Sequence, residues 1–221
     1  MYFSYTEEEL NHLKKRDKRL AAAIDEIGAL SGWHVEPDVF SALVHHIVGQ
    51  QVSTLAQRTV WARILAGLGE VTPENICAAG SEKMQSFGIS FRKAEYIMEL
   101  ARKTASCEFD PGELWKLDDE AVIKRLSALR GVGVWTAEML LIFSMRRRDV
   151  LSFGDFGIRR GLRMLYRHRE ITPALFEKYR KRYSPCGSVA SLYLWEVAGG
   201  ALPALTDPAP GGAKKRRAAA R

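Results

Sequence analysis

The chain has 221 residues, of which 47% are hydrophobic and 27% charged, a composition that excludes disorder over most of its length. It has no run of about 18 apolar residues and no apolar secretory segment near its start, so neither a membrane span nor export is expected. The net charge is +7, of which the segment from Pro203 carries +4, and the remaining +3 permits a nucleic-acid partner without requiring one.

The chain up to residue 202 is predicted to be all-α, because it lacks alternating β-branched runs and repeats the signals of helix starts. These starts are N-cap residues, in chain order Asp38 or Ser41, Ser53, Thr72, Ser90, Asp118 and Thr172. Proline follows Thr72 and Thr172 at the first helical position, which suits a residue without an N–H group. A helix over 136–145 is apolar on nearly all sides and should be buried centrally.

The segment 203–221 is rich in Pro, Gly, Ala and basic residues and is predicted to be a flexible basic tail. Its KKRR sequence at 214–217 could attract phosphates non-specifically or could be no more than a solvated chain end.

Three cysteines, Cys77, Cys107 and Cys186, are too few and too dispersed for a disulfide framework or a zinc site. This usage favours a reducing, cytoplasmic compartment.

The most informative segment joins two predicted helices at 129–137, with the sequence LRGVGVWTA. Its two glycines permit positive φ angles and close approach of another backbone. The start of the second helix presents N–H groups that can bind a DNA phosphate, although a tight turn without a ligand is the alternative. The hairpin carbonyls could also hold a monovalent cation. The predicted phosphate-binding residues are Arg130, Gly131, Val132, Gly133, Val134 and Thr136.

The longer pattern Leu126-x-x-Leu129-x-Gly131-Val132-Gly133-x-Trp135-Thr136-Ala137 resembles the helix-hairpin-helix motif of the DNA glycosylase superfamily. Three further features resemble family elements and occur in the family's order: IVGQQVS at 47–53, FGISFRKA at 87–94, and Asp155, 18 residues beyond Ala137. The resemblance covers about residues 38–198 and is closest to the DNA-3-methyladenine glycosylase II family.

The resemblance implies residues 1–202 arranged as two helical lobes with a DNA-binding cleft between them. Lobe one is expected at about 36–135, and lobe two comprises the N-terminal helix and about 145–202. Larger bacterial relatives carry an additional N-terminal sheet domain, and the residues before Asp38 are too few for one, so a compact form is expected. The implied partner is duplex DNA containing damaged bases, bound by a monomer that would be associated with the nucleoid in a prokaryote.

Asp155 is the residue to which the resemblance assigns catalysis. Cleavage of an N-glycosidic bond builds positive charge on the deoxyribose, and a carboxylate can stabilise that charge and orient or deprotonate the attacking water. On its own, an aspartate in front of a predicted helix would be interpreted as an N-cap, a role that is compatible with catalysis. Alkylated purines such as 3-methyladenine and 7-methylguanine are already cationic, so aromatic faces can recognise them after base flipping.

Aromatic side chains are therefore candidates for the base pocket, although at helical spacing such residues usually pack in the core. The candidates are Trp135, Phe153, His45, Tyr193 and Trp195, followed by Trp33 and Trp61. Gln51 is the first candidate for the wedge that fills the gap left by the flipped base, and Gln50 is the alternative. Both glutamines could instead face solvent at a helix junction.

Trp135 stands where the resemblance places the nucleophilic lysine of glycosylase/lyases, so hydrolysis without strand cleavage is expected. Only Cys186 lies in the C-terminal half, which excludes a four-cysteine iron–sulfur cluster, and neither a cofactor nor a side-chain metal site is expected. Cys186 and Gly187 occupy positions where family members often carry an aromatic residue and an arginine.

Three functions remain open at this point. The first is a monofunctional glycosylase that excises alkylated purines in base excision repair. The second keeps the fold but acts on another lesion, such as hypoxanthine or ethenoadenine, which the departure at Cys186 and Gly187 suggests. The third is a non-catalytic helix-hairpin-helix module, with salt-sensitive DNA binding and no base release.

Overall fold

The computed structural model describes residues 1–209, and throughout this range the regular elements are helical. The α-helices are α1 (Glu7–Arg16), α2 (Lys18–Ile27), α3 (Val39–Gly49), α4 (Thr54–Leu68), α5 (Pro73–Ser86), α6 (Phe91–Ala105), α7 (Asp119–Ser127), α8 (Val134–Phe143), α9 (Phe156–Tyr166), α10 (Pro173–Tyr183) and α11 (Gly187–Gly199). A 3₁₀ helix spans Pro111–Lys116. The all-α prediction is confirmed. Among the described residues, no helix has both the length and the apolar character required to span a bilayer.

The chain divides into two compact units. Unit 1 comprises Met1 and Val35–Arg146, and unit 2 comprises Tyr2–His34 and the described residues from Arg147 onward. The sequence predicted that the first lobe ends near residue 135, but the division falls after α8. The reason is that α8 packs against α7 and α3, which both belong to unit 1.

The predicted helix starts are confirmed by their capping hydrogen bonds. Ser53 Oγ accepts the Ala56 N–H at 3.2 Å and begins α4, which Gly69 ends with a φ of +74°. Thr72 and Thr172 cap α5 and α10 in the same way, each with proline at the first helical position. Of the two proposed starts of α3, Asp38 is the N-cap. Local sequence therefore determines where most helices begin.

The helix predicted to be central in the apolar core is α8. Its residues 136, 137 and 139–142 are buried, as expected for a segment that is apolar on nearly all sides. In unit 2 the corresponding helix is α11, in which every residue from Gly187 to Leu194 is buried. Each unit is thus built around one helix that has no solvent-facing side over most of its length.

The packing of α9 against α11 requires a glycine. A Cβ atom at Gly161 would lie 2.3 Å from the carbonyl oxygen of Leu194, which is a backbone atom and cannot rotate away. The two helices therefore approach more closely than any other residue type at 161 would allow. This contact fixes α9, which begins directly after Asp155.

The predicted tail begins as an ordered segment. Leu202, which directly precedes it, is buried, and the carboxylate of Asp207 receives two hydrogen bonds from Arg163 of α9, at 2.7 and 2.8 Å. Arg160 lies 3.7 Å from the same carboxylate. Residues 203–209 thus attach to α9, while the KKRR sequence at 214–217 lies outside the described residues.

Gly161→Ala should destabilise the protein by about 2 kcal/mol or more, because the new methyl group meets backbone rather than a movable side chain. Gly199→Ala is the matched control, since its Cβ would have nothing within 4 Å. That control should change the free energy of unfolding by less than about 1 kcal/mol. Urea unfolding followed by circular dichroism measures both, and equal effects of the two substitutions would contradict the close approach.

Candidate active site

The hairpin in unit 1 has the geometry that its glycines predict. Gly131 has a φ of +81°, and a Cβ atom there would lie 2.2 Å from the ring of Tyr96. Gly133 is the N-cap of α8 and has no side chain with which to cap the first turn. The N–H groups that begin α8 therefore face no capping oxygen from their own N-cap residue, an arrangement suited to an external anion.

Side chains of the hairpin differ in exposure. Val134 and Trp135 are 54% and 41% exposed, and Arg130 is exposed beside Glu99, 3.1 Å away. Val132 and Thr136 are buried, so a phosphate contact from these two positions would have to use backbone groups. The carbonyl of Gly131 accepts a hydrogen bond from Gln50 Nε2 at 2.7 Å. Within residues 1–209, no three His, Cys, Asp or Glu side chains come together to hold a metal ion.

The two glutamines proposed as wedge residues have different environments. Gln50 is half-buried, and its amide is engaged by the hairpin. Gln51 is exposed and has a φ of +57°, an unusual conformation for a residue with a side chain. Val52 and Leu55, which follow it, are 46% and 76% exposed. Exposure thus favours Gln51 over Gln50 as the residue that could enter DNA.

Asp155 in unit 2 combines a capping role with burial. It is the N-cap of α9, only 7% exposed, and its Oδ1 accepts the Ile158 N–H at 2.7 Å. The same oxygen accepts the indole N–H of Trp195 at 2.8 Å. Two N–H donors on one carboxylate oxygen offset the cost of removing that carboxylate from water.

The indole of Trp195 lies across the start of α9. A Cβ atom at Gly157 would lie 2.7 Å from Trp195 Cδ1, so the absence of a side chain at 157 makes room for the ring. Trp33 packs against the Trp195 indole, with ring centroids 5.2 Å apart and ring planes 30° apart. The structure therefore brings Asp155, Trp195 and Trp33 together in unit 2. From the sequence alone, Trp33 is only a secondary candidate.

The remaining pocket candidates lie in three separate environments. Phe153 contacts Phe176 edge to face at 5.2 Å, and the guanidinium of Arg159 lies 5.4 Å from its ring centre. Tyr193 is fully buried, and its hydroxyl donates to the carbonyl of Gly28 at 3.0 Å. Burial raises the pKa of Tyr193 above its usual value. Its position is that of a core residue of unit 2.

His45, the last of these candidates, is in unit 1 and half-buried. Its ring packs edge to face on Trp61, with centroids 4.7 Å apart, and Gln57 Nε2 lies 3.2 Å from its Nε2. The same amide donates to the His45 carbonyl at 3.1 Å, which ties α4 to α3.

Cys186 is the N-cap of α11, and Gly187 is the first residue of that helix. Cys186 is buried, and the Gly187 N–H donates to Asp149 Oδ1 at 3.0 Å. A Cβ atom at Gly187 would lie 2.9 Å from that oxygen. A side chain at 187 would crowd the Asp149 carboxylate, which accepts the first N–H of α11.

His46, next to His45 on α3, should make stability depend on pH. Burial, with a smaller effect of the His45 ring, lowers the pKa of His46 from 6.5 to about 4. As pH falls below 6.5, the unfolded chain binds a proton that the folded protein does not bind until about pH 4. The stability contributed by neutral His46 is therefore complete above pH 6.5, decreases progressively as pH falls from 6.5 towards 4, and is fully lost below about pH 4.

Urea unfolding at pH 7 and pH 5 measures this effect. The wild type should lose up to about 2 kcal/mol more than His46→Gln over that interval. His34→Gln, which removes an exposed histidine, should behave like the wild type. An identical loss in wild type and His46→Gln would contradict the assignment.

Comparison with known proteins identifies the family. Residues 44–186 match the family described as "HhH-GPD superfamily base excision DNA repair protein". DNA-3-methyladenine glycosylase 1 of Schizosaccharomyces pombe is 32% identical over 164 residues, covering 72% of this chain and 72% of that protein.

Two solved structures are similar over nearly their whole length. The crystal structure of a DNA-3-methyladenine glycosidase from Bacillus halodurans has a TM-score of 0.78 and 36% identity, covering 90% of this chain and 93% of that one. The 3-methyladenine DNA glycosylase of Schizosaccharomyces pombe, in complex with abasic DNA, has a TM-score of 0.77 and 30% identity, covering 86% and 95%. The helices, the hairpin with its two glycines and these matches lead to one conclusion: the chain belongs to the HhH-GPD superfamily of base excision DNA repair proteins.

Proposed function

We propose that this protein is a monofunctional DNA glycosylase that flips alkylated purines out of duplex DNA and hydrolyses their N-glycosidic bonds. Its substrates are 3-methyladenine and 7-methylguanine, its product is an abasic site, and it acts as a monomer. The observation that carries the proposal is the buried Asp155 carboxylate, which accepts N–H groups from Ile158 and Trp195. The Trp195 ring also packs against Trp33, which places two aromatic rings at this carboxylate. The names of the relatives described above agree with this substrate class.

The chemistry follows from the charge of the lesion. A cationic purine needs little protonation to leave, so the enzyme's main task is to stabilise the positive charge that develops on the sugar. In this proposal Asp155 supplies that negative charge and orients or deprotonates the attacking water. Faces of Trp195 and Trp33 attract the cationic base by stacking and cation–π interaction.

The hairpin supplies binding rather than chemistry. Its N–H groups at the start of α8 bind one phosphate of the duplex, which anchors the protein without reading sequence. Trp135, at the second position of α8, provides no amine, so no Schiff base forms with the sugar. The proposed reaction therefore ends at hydrolysis and leaves the strand intact.

Incubation of the purified protein with methylated duplex DNA tests the proposal directly. We expect free 3-methyladenine and 7-methylguanine by mass spectrometry, and strand breaks only after alkali treatment. Breaks without alkali, or a covalent adduct after borohydride reduction, would contradict the monofunctional reaction. Release of hypoxanthine or ethenoadenine from single-lesion duplexes, with no release of methylated purines, would overturn the proposed lesion class.

Asp155→Asn should lower the single-turnover excision rate by at least about 100-fold, because asparagine keeps the cap but loses the charge. Binding to duplex DNA and thermal stability should change little. Asp118→Asn is a matched control, since Asp118 Oδ1 also caps a helix by accepting the third N–H, from Ala121 at 2.8 Å. Equal activity of both variants would reduce Asp155 to a structural cap.

A further inference from the structure

A lysine on α6 holds the end of α3 directly before Gln51. Lys93 Nζ donates to the carbonyl of Val48 at 2.9 Å and to that of Gln50 at 2.6 Å. Both carbonyls are at the C-terminus of α3, where the helix dipole favours a cation. The ammonium group therefore fixes the backbone that leads into the loop 50–53, here called the wedge loop.

Gln50 extends this connection to the hairpin. While its carbonyl accepts from Lys93, its side-chain amide donates to the carbonyl of Gly131 at 2.7 Å. A single residue thus joins Lys93, the wedge loop and the turn that precedes α8.

The same helix α6 supports Gly131 from the other side. The ring of Tyr96 fills the space that a Cβ at Gly131 would need, with a closest distance of 2.2 Å. Arg92 and Arg130 lie over this ring, 5.5 and 5.3 Å from its centre. Lys93 and Tyr96 are three residues apart and therefore lie on one side of α6. That side of α6 contacts both the wedge loop and the hairpin.

Gln51 needs such support because of its backbone conformation. Its φ of +57° is unfavourable for a residue with a side chain and persists only where neighbouring groups determine it. The carbonyl on one side of Gln51 is held by Lys93, and on the other side Ser53 caps α4. The exposed side chain of Gln51 is thereby presented from a fixed backbone.

We propose that Lys93 is a positioning residue for base extrusion, which acts with Gln50 to hold the wedge loop and the hairpin as one rigid assembly. This inference rests on the proposed function. The hairpin binds phosphate through N–H groups that do not contact Lys93, so DNA binding itself does not require the lysine. Extrusion of a paired base does require it, since Gln51 must fill the gap at a fixed distance from the bound phosphate.

Lys93→Met tests the inference, because methionine retains much of the apolar stem and removes the ammonium group. We expect single-turnover excision of a paired alkylated purine to slow by at least about tenfold. The same lesion placed opposite an abasic site is already unpaired, and its excision should slow by less than about threefold. The dissociation constant for undamaged duplex DNA should also change by less than about threefold.

Two further variants make the result specific. Gln50→Leu removes the amide that reaches Gly131 and should reproduce the difference between paired and unpaired lesions. Lys103→Met removes another half-buried lysine of α6, paired with Glu99 and Glu108 at 3.5 and 3.3 Å, and should keep wild-type rates on both substrates. Equal slowing on the two substrates, or no slowing on either, would overturn the positioning role.

Hydrogen exchange of the free protein tests, independently of activity, whether Lys93 connects the wedge loop to the hairpin. In Lys93→Met, amides of residues 50–53 and 131–134 should exchange at least about fivefold faster than in wild type, and in Lys103→Met they should not. Unchanged exchange in both segments would refute the connection, whether or not the protein excises bases. If the wild type released no base, the proposed function would fail. The exchange experiment would still show whether Lys93 holds the wedge loop and the hairpin together.

Discussion

The candidate site depends on one carboxylate oxygen, Asp155 Oδ1, that accepts N–H groups from two different helices. The Ile158 N–H fixes the carboxylate to the start of α9, and the Trp195 indole fixes it to α11. A nearly buried carboxylate is costly unless such donors replace its water, so both contacts are needed for the charge to remain where the sugar would react. The close packing of α9 on α11 at Gly161 fixes the position of the Ile158 N–H relative to the Trp195 indole N–H. Stability of unit 2 and the proposed chemistry thus depend on the same geometry.

In the proposed function, unit 1 binds DNA mainly through backbone N–H groups of the hairpin rather than through charged side chains. The net charge of the first 202 residues is only +3, too small to require a nucleic-acid partner. The proposed phosphate contact instead uses helix N–H groups that follow a turn requiring glycine at 131, since Tyr96 occupies the space beside Gly131. Such use of backbone N–H groups would make a modest overall charge compatible with membership in a DNA repair family.

Features with a local cause could be predicted from the sequence. Caps at Ser53, Thr72 and Thr172 and the buried helix α8 follow from neighbouring residues, and the structure has them as expected. The resemblance supplied Asp155 and the hairpin together. Long-range contacts could not be predicted, because nothing in the local sequence indicates that Lys93 meets two carbonyls of α3 or that Gln50 reaches Gly131. The same limit applies to Tyr193, an aromatic residue like the others in sequence but buried in the core.

Binding of a transition-state mimic tests the central claim, that Asp155 stabilises positive charge on the sugar. Two duplexes are compared, one with a cationic pyrrolidine in place of the damaged nucleotide and one with an uncharged tetrahydrofuran. The wild type should prefer the cationic duplex by at least about 100-fold, and Asp155→Asn should lose that preference while binding the neutral duplex normally. Equal affinity of the wild type for the two duplexes would contradict the account.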